Sequence, residues 1–131
     1  MKTRKALDSY ALLAYLQGED GSPTVKEALL SGEGEVLMNE VNIGEVYYIL
    51  ARSRGRDRAD YFLKVILPSL PIRAVGNDFE MVIAAARIKA DYPLSYADCF
   101  AVATARRERA TLLTGDSEFH AVSSLVDIDW I

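Results

Sequence analysis

Two rhythms of hydrophobic and polar positions run along the chain, short apolar runs and longer stripes at helical spacing. The run in "KALD" passes straight into "SYALLAYL", whose apolar residues recur every three to four positions, and then into the turn cluster "QGEDGSP". This pattern reads as strand, helix, loop. After Pro23, a residue accepted near a helix start, "TVKEALLSGEGE" is expected to form a short amphipathic helix. "VLM" is too short to assign. From Asn39, a suitable N-cap, "EVNIGEVYYILARSR" runs as a helix to Gly55, which suits a C-terminal stop.

A further helix is expected over "DRADYFLKVILPSL", ended near Pro68, followed by a short strand in "PIRAV". Asn77 is placed to cap "DFEMVIAAARIKA", where Met81, Ala84, Ala85 and Ile88 fall on one stripe. "PLSYADCFAVATARRER" starts another helix at Ser95, "ATLLT" reads as a strand, and "VDIDWI" as a last one. There is no repeat, low-complexity tract or linker. Strands alternating with helices predict a mainly parallel sheet covered on both faces, an α/β sandwich.

Composition narrows the class. A chain of 131 residues is one domain (1–131) by the size prior and can bury roughly two thirds of its unfolded surface. With 50% hydrophobic and 26% charged residues it matches an ordinary globular protein and not a disordered one. The basic start, Lys2, Arg4 and Lys5, followed by "ALLAYL" imitates a secretory signal, but Asp8 interrupts the apolar run and no small-residue cleavage site follows. No stretch approaches the ~18 apolar residues a membrane span needs, and the single cysteine, Cys99, has no internal disulfide partner. A cytoplasmic setting is expected.

Net charge is −4, with a pI near 5.0, which argues against holding nucleic acid by bulk positive charge. Basic residues nevertheless cluster in "RSRGRDR" (Arg52, Arg54, Arg56, Arg58) and "RRER" (Arg106, Arg107, Arg109). The plainest reading of each cluster is a solvated helix end, where arginine complements the dipole.

The acids carry the chemistry. In open α/β sheets, function gathers beyond the carboxyl ends of the strands, where loops converge and helix N-termini point inward. Asp8 follows the first strand and Asp116 follows "TLLT", so parallel strands bring both to one edge. Asp98 lies one turn inside the helix that starts at Ser95, and Glu45 lies in the first two turns of the helix capped at Asn39. Each has a structural alternative. Asp8 suits an N-cap, Asp116 a Gly-Asp turn, and Ser95 with Asp98 has capping-box spacing. Capping and ligation are not exclusive.

Glu45 shares a helical face with Val41, Tyr48 and Ile49, where a lone charge is costly to bury, so it needs a partner. Glu40, in the first turn, only complements the helix dipole. Four carboxylates brought together must take up protons or be compensated by a cation. Oxygen-only ligands favour Mg²⁺ or Mn²⁺ over zinc, since Cys99 reads as core and His120 as surface. Ser9 and Ser95 lack a local histidine, and no GxxxxGK[ST] phosphate loop is present. Metal-assisted hydrolysis, in which one or two ions polarise a phosphodiester and generate hydroxide near neutral pH, therefore ranks first.

"ALDSYALLAYL" with Asp8, "NEVNIGEVYYIL" with Glu45, "PLSYADCFAVATA" with Asp98 and "LLTGDSEF" with Asp116 together resemble the PIN-domain family of metal-dependent ribonucleases, specifically VapC-like toxins of toxin–antitoxin pairs. The resemblance covers nearly the whole chain. It implies a three-layer α/β/α sandwich, one or two Mg²⁺ or Mn²⁺ ions on those acids, and endonucleolytic cutting of single-stranded or looped RNA. Asp8, Glu45 and Asp98 match the most characteristic metal positions. Asp116 matches the fourth, outermost and more dispensable for the first ion. Thr114 matches a hydroxyl residue near the site, and Ser9 is expected to help orient Asp8. The resemblance also implies a small antitoxin partner and a homodimer, and assigns Arg52, Arg54 or Arg56 to contacts with RNA or antitoxin.

Two rival classes compete. In a non-catalytic interaction module the acids are only helix caps. A doubly wound signalling domain with a regulatory Mg²⁺ site needs an acid pair on the first strand, which this sequence lacks.

Overall fold

The structure, a computed structural model, describes residues 3–131. Met1 and Lys2, the latter part of the basic start, lie outside the described residues. Five strands form one parallel sheet in the order β3-β2-β1-β4-β5: β1 Thr3–Leu7, β2 Gly34–Asn39, β3 Ile72–Val75, β4 Thr111–Thr114 and β5 Ile128–Trp130. One face carries α1 Ser9–Gln17, α2 Ser22–Leu30, α3 Glu40–Arg54, α4 Arg56–Tyr61 and the short α5 Leu67–Ser69. The other carries α6 Phe79–Asp91, α7 Tyr96–Arg107 and a 3₁₀ turn, Ser117–Val122. The three-layer α/β/α sandwich expected from the sequence is the architecture found.

Side chains alternate across the sheet between two cores. Ala6, Leu37 and Leu112 point to the α6/α7 side, and Leu7, Val36, Met38 and Leu113 to the α1–α5 side. A strand buried on both faces reads as an unbroken apolar run, which is why "VLM" carries no period-2 signal although it lies in β2. The helix expected over "TVKEALLSGEGE" is shorter than that. It spans Ser22–Leu30, and Gly34 and Glu35 belong to β2, whose register sets Thr3 against Gly34. A Cβ at Gly34 would come 2.2 Å from the Thr3 carbonyl oxygen, so only glycine fits there.

One cap also differs from the expected one. The α6 cap is Asp78, whose Oδ1 accepts from the Met81 N–H at 2.8 Å, and not Asn77. Asn77 instead pairs with Asn39. The helix expected to end near Pro68 does so: the chain passes from α4 through a π turn, Phe62–Ile66, into α5 and stops at Ser69. The widened turn, with the Leu67 N–H bonded to the Phe62 carbonyl, sits just ahead of the proline, which has no N–H for a regular ladder. The α6 stripe behaves as expected, with Met81, Ala85 and Ile88 buried and Ala84 partly so.

The strand order fixes where a site can form. From β1 the chain moves outward through β2 to β3 with its crossovers on one face. It then returns past α6 and α7 on the other face to place β4 beside β1. β1 and β4 therefore flank the topological switch point, and Asp8 and Asp116 lie just beyond their carboxyl ends.

Candidate metal centre

Asp8 is 1% exposed and caps α1: its Oδ1 accepts from the Ala11 N–H at 2.8 Å. Its Oδ2 accepts from the Thr114 hydroxyl at 2.5 Å, and the same hydroxyl oxygen accepts from the Asp116 N–H at 3.0 Å. Thr114, fully buried at the end of β4, thus ties the first acid to the loop that carries the last. Ser9 is buried at the first position of α1, yet among the described residues the hydroxyl on Asp8 is that of Thr114 and not Ser9.

Asp98 is buried in the first turn of α7, where the Ser95 hydroxyl oxygen accepts its backbone N–H at 3.1 Å. Asp116 is half-buried and caps the 3₁₀ turn through Oδ1, which accepts from the Glu118 N–H at 3.0 Å. Carboxylate oxygens of Asp98, Asp116 and Glu118 lie within 4.8 Å of one another. Glu118 does not stand out in the sequence; its only signal is its place two residues after Asp116, in a turn too short to show periodicity. Glu45 and Asp8 border this trio. The Glu45 charge acts on Asp98, and the charges of Asp98 and Asp116 act on Asp8.

The setting of Glu45 differs from the expected one. The buried stripe of α3 is Asn42, Ile43, Val46 and Leu50, while Tyr48 is exposed and Glu45 sits at the stripe's margin. Even so, Glu45 Oε1 is buried and, among the described residues, without a hydrogen-bond partner. One turn earlier, Asn42 donates Nδ2 to the Ala97 carbonyl of α7 at 2.9 Å and leaves its own Oδ1 buried and, among the described residues, unpartnered. Asn42 is a second residue that the sequence does not single out, although it stands three positions before Glu45 on the same side of the helix.

Burial pushes the Asp8 carboxyl up to about 7, with the Asp98 and Asp116 charges adding to the rise, against the hydrogen bonds from Thr114 and Ala11. Burial likewise raises Asp98 to about 6, with Glu45, Asp116 and Glu118 adding, against the Ser95 hydroxyl. The cluster is rich in acceptors and poor in donors. Two orphaned buried oxygens and two carboxyls held high describe a place that lacks positive charge, and an oxygen-ligated divalent cation fits that donor set.

The glycine beside Asp116 has a different role from the one its position in "TLLTGD" suggests. Gly115 is not in the left-handed region; a Cβ there would come 2.3 Å from Cε1 of the Tyr10 ring. Close approach of the Tyr10 side chain of α1, and not turn geometry, is what glycine accommodates here, and a larger residue would have to displace that ring.

The arginines separate. Arg52 lies over the Tyr48 ring at 5.4 Å, seven residues from Glu45 and so on its side of α3. Arg54 lines a groove of about 320 Å³ with Leu16, Leu50, Arg58, Tyr61 and Phe62. Arg56 begins α4 beside Tyr47, whose hydroxyl donates to Asp60 at 2.6 Å.

The PIN domain family model matches residues 5–125, nearly the whole chain and all of the acid cluster. The chain belongs to the PIN domain family. No curated protein sequence matches it. Among solved structures, this PIN domain is similar to VapC20 of Mycobacterium tuberculosis, described as a Sarcin-Ricin loop cleaving toxin: TM-score 0.73, 18% identity, covering 90% of this chain and 94% of that one. It is also similar to a chain of VapBC2 from Rickettsia felis bound to a promoter DNA fragment: TM-score 0.77, 15% identity, covering 98% and 100%. A third likeness is to PAE2754 of Pyrobaculum aerophilum: TM-score 0.70, 16% identity, covering 96% and 89%. At such identities these likenesses establish the shared fold of the PIN domain. No helix among its described residues is long and apolar enough to cross a membrane.

Proposed function

We propose that this PIN domain, a single unit over residues 1–131, is a divalent-metal-dependent endoribonuclease and the toxin of a toxin–antitoxin pair. The observation that carries the reading is Glu45 Oε1, a buried carboxylate oxygen without a partner among the described residues, beside an acceptor-rich cluster. Asp8, Glu45, Asp98 and Asp116 form the ligand set for one or two Mg²⁺ or Mn²⁺ ions, and Glu118 completes it at the exposed rim. When bound, such an ion polarises a phosphodiester and brings a water toward hydroxide near neutral pH.

The chain's own groups prepare that site. Thr114 fixes the rotation of the Asp8 carboxyl and joins it to the Asp116 loop. Burial keeps the Asp8 carboxyl partly protonated near neutrality and Asp98 so only at more acidic pH, and both would have to be ionised to hold a cation. Of Arg52, Arg54 and Arg56, Arg52 is assigned the phosphate contact in this reading, supported by its position over Tyr48 on the Glu45 side of α3. The antitoxin partner is supported by the fold likeness to a chain described as part of a VapBC assembly. A cytoplasmic homodimer is the assembly this reading expects, with the exposed Tyr48, Tyr61, Leu63 and Val65 available to a second copy.

The test is to incubate the purified protein with RNA and Mg²⁺ or Mn²⁺, with and without chelator, beside Asp8→Asn and Asp98→Asn. Cleavage is expected to vanish with chelator and to fall about a hundredfold or more in each variant. Cleavage that survives both substitutions overturns the site assignment.

A further inference from the structure

A pair of aromatic rings stands beside the acid cluster on the β5 side. His120, two residues after Glu118 in the 3₁₀ turn, is stacked on Trp130, with ring centroids 4.2 Å apart and planes 25° from parallel. Both residues are exposed, Trp130 at 42%, and among the described residues neither ring nitrogen has a hydrogen-bond partner. Neither ring is needed to fill a core. Trp130 stands in register with Thr114, the residue whose hydroxyl holds Asp8, and β5 is an edge strand with nothing beyond it among the described residues. Register and sequence thus put one ring beside the strand that carries Thr114 and the other two residues from Glu118.

Net charge gives little hold on nucleic acid here. The protein carries a net −4, and Lys5 of β1 is paired with Asp129, the neighbour of Trp130, at 2.6 Å. Stacking of a base on an aromatic face works without charge and tolerates every base. It also demands that the base be unpaired, because a base inside a duplex has no free face.

We propose that the His120–Trp130 stack is a platform for one unpaired base of the RNA next to the phosphate that enters the acid cluster. The platform selects single-stranded or looped RNA by exposed base faces and not by sequence. This inference rests on the ribonuclease reading above and adds two positioning residues to it.

Trp130 is the only tryptophan in the chain, so its emission reports on the platform without any label. A single-stranded RNA oligonucleotide titrated in Mg²⁺ into the native chain, and into Asp98→Asn to suppress turnover, should quench that emission. The quenching should saturate with binding followed by anisotropy. The same sequence in a duplex, or with abasic positions, should leave the emission unmoved. Trp130→Leu should weaken single-strand binding about 5- to 100-fold, the range expected for loss of one stacked base, while Trp130→Phe stays within about threefold.

A cleavage assay on the same samples separates the two claims. RNA that binds and is cut while the emission does not change overturns the platform alone, as does equal binding by Trp130→Leu. Quenching by single strands without any cleavage supports the platform and counts against the nuclease. Failure to bind any RNA overturns both.

Discussion

Two buried polar clusters lie near the same edge of the sheet and could hardly differ more in how their hydrogen bonds close. Around Asn39, the Nδ2 group donates to Asn77 Oδ1 at 2.7 Å and to Thr104 Oγ1 at 2.9 Å. Its Oδ1 accepts from the Val41 N–H at 2.8 Å and from Asn77 Nδ2 at 3.1 Å, while Thr104 donates on to the Phe100 carbonyl at 2.7 Å. Donors and acceptors balance, so the cluster is complete as folded. Around Asp98 there are acceptors in excess, two orphaned oxygens and carboxyls pushed up by burial. Burying groups that find no partner costs stability, so that arrangement persists only where something outside the fold completes it.

Breaking each cluster should therefore have opposite consequences. Asn39→Ala removes the α3 cap and strands Asn77 and Thr104, and a loss of about 2–4 kcal/mol is expected in urea unfolding. Asp98→Asn leaves the α7 cap bond intact, since that bond is made by its backbone N–H, and relieves repulsion. Its metal-free stability should be unchanged or raised. Equal losses in the two variants would mean that the acids are structural and would remove the contrast.

A second way to sharpen the contrast uses pH. Asp8 and Asp98 titrate above the ordinary 3.8 in the folded state, at about 7 and about 6, so the native chain holds more protons than the unfolded chain between those values. Stability of the metal-free protein is thus fully present below pH 4 as far as these groups are concerned, and falls as pH rises through 6 to 7. A tenfold change in the proton affinity of an uncoupled group is worth about 1.4 kcal/mol, so a fall of a few kcal/mol is expected across the window. Melting temperature followed from pH 5 to pH 8 should drop, added Mn²⁺ should restore it more strongly at the higher pH, and Asp98→Asn should flatten the slope. A melting temperature that climbs over that range would contradict the buried, proton-holding cluster.

How far this is legible in the sequence follows from the same contrast. Asp8, Asp98 and Asp116 can be placed because each sits at a strand end or helix start that periodicity and caps define, and parallel topology does the rest. The Asn39–Asn77 pairing is 38 residues apart and has no local signature, so Asn77 looks like a cap although the neighbouring Asp78 holds that role. Glu118 escapes notice because a 3₁₀ turn of six residues has no stripe to read. Glu45 stands out in the sequence for a partly wrong reason: its face is not the core face, and only the three-dimensional packing against α7 leaves its Oε1 enclosed. β2 is hidden by being buried on both sides.

The smallest effect concerns the charges around the unbalanced cluster. Arg52 and Arg54 are indistinguishable in "ARSRGR", yet α3 sets them apart: seven residues from Glu45 returns to the same face, and nine residues reaches the opposite one. Among the described residues Arg52 forms no ion pair and lies over Tyr48, while Arg54 faces the groove with Leu16 and Tyr61. A phosphate contact through Arg52 releases about one counterion. Arg52→Gln should then weaken single-stranded RNA binding and reduce the slope of log K against log salt by about 0.7, with Arg54→Gln leaving the slope unchanged. Equal slopes for both variants would show that the ring beneath Arg52 holds it for packing alone, and that the RNA path avoids the Glu45 side of the cluster.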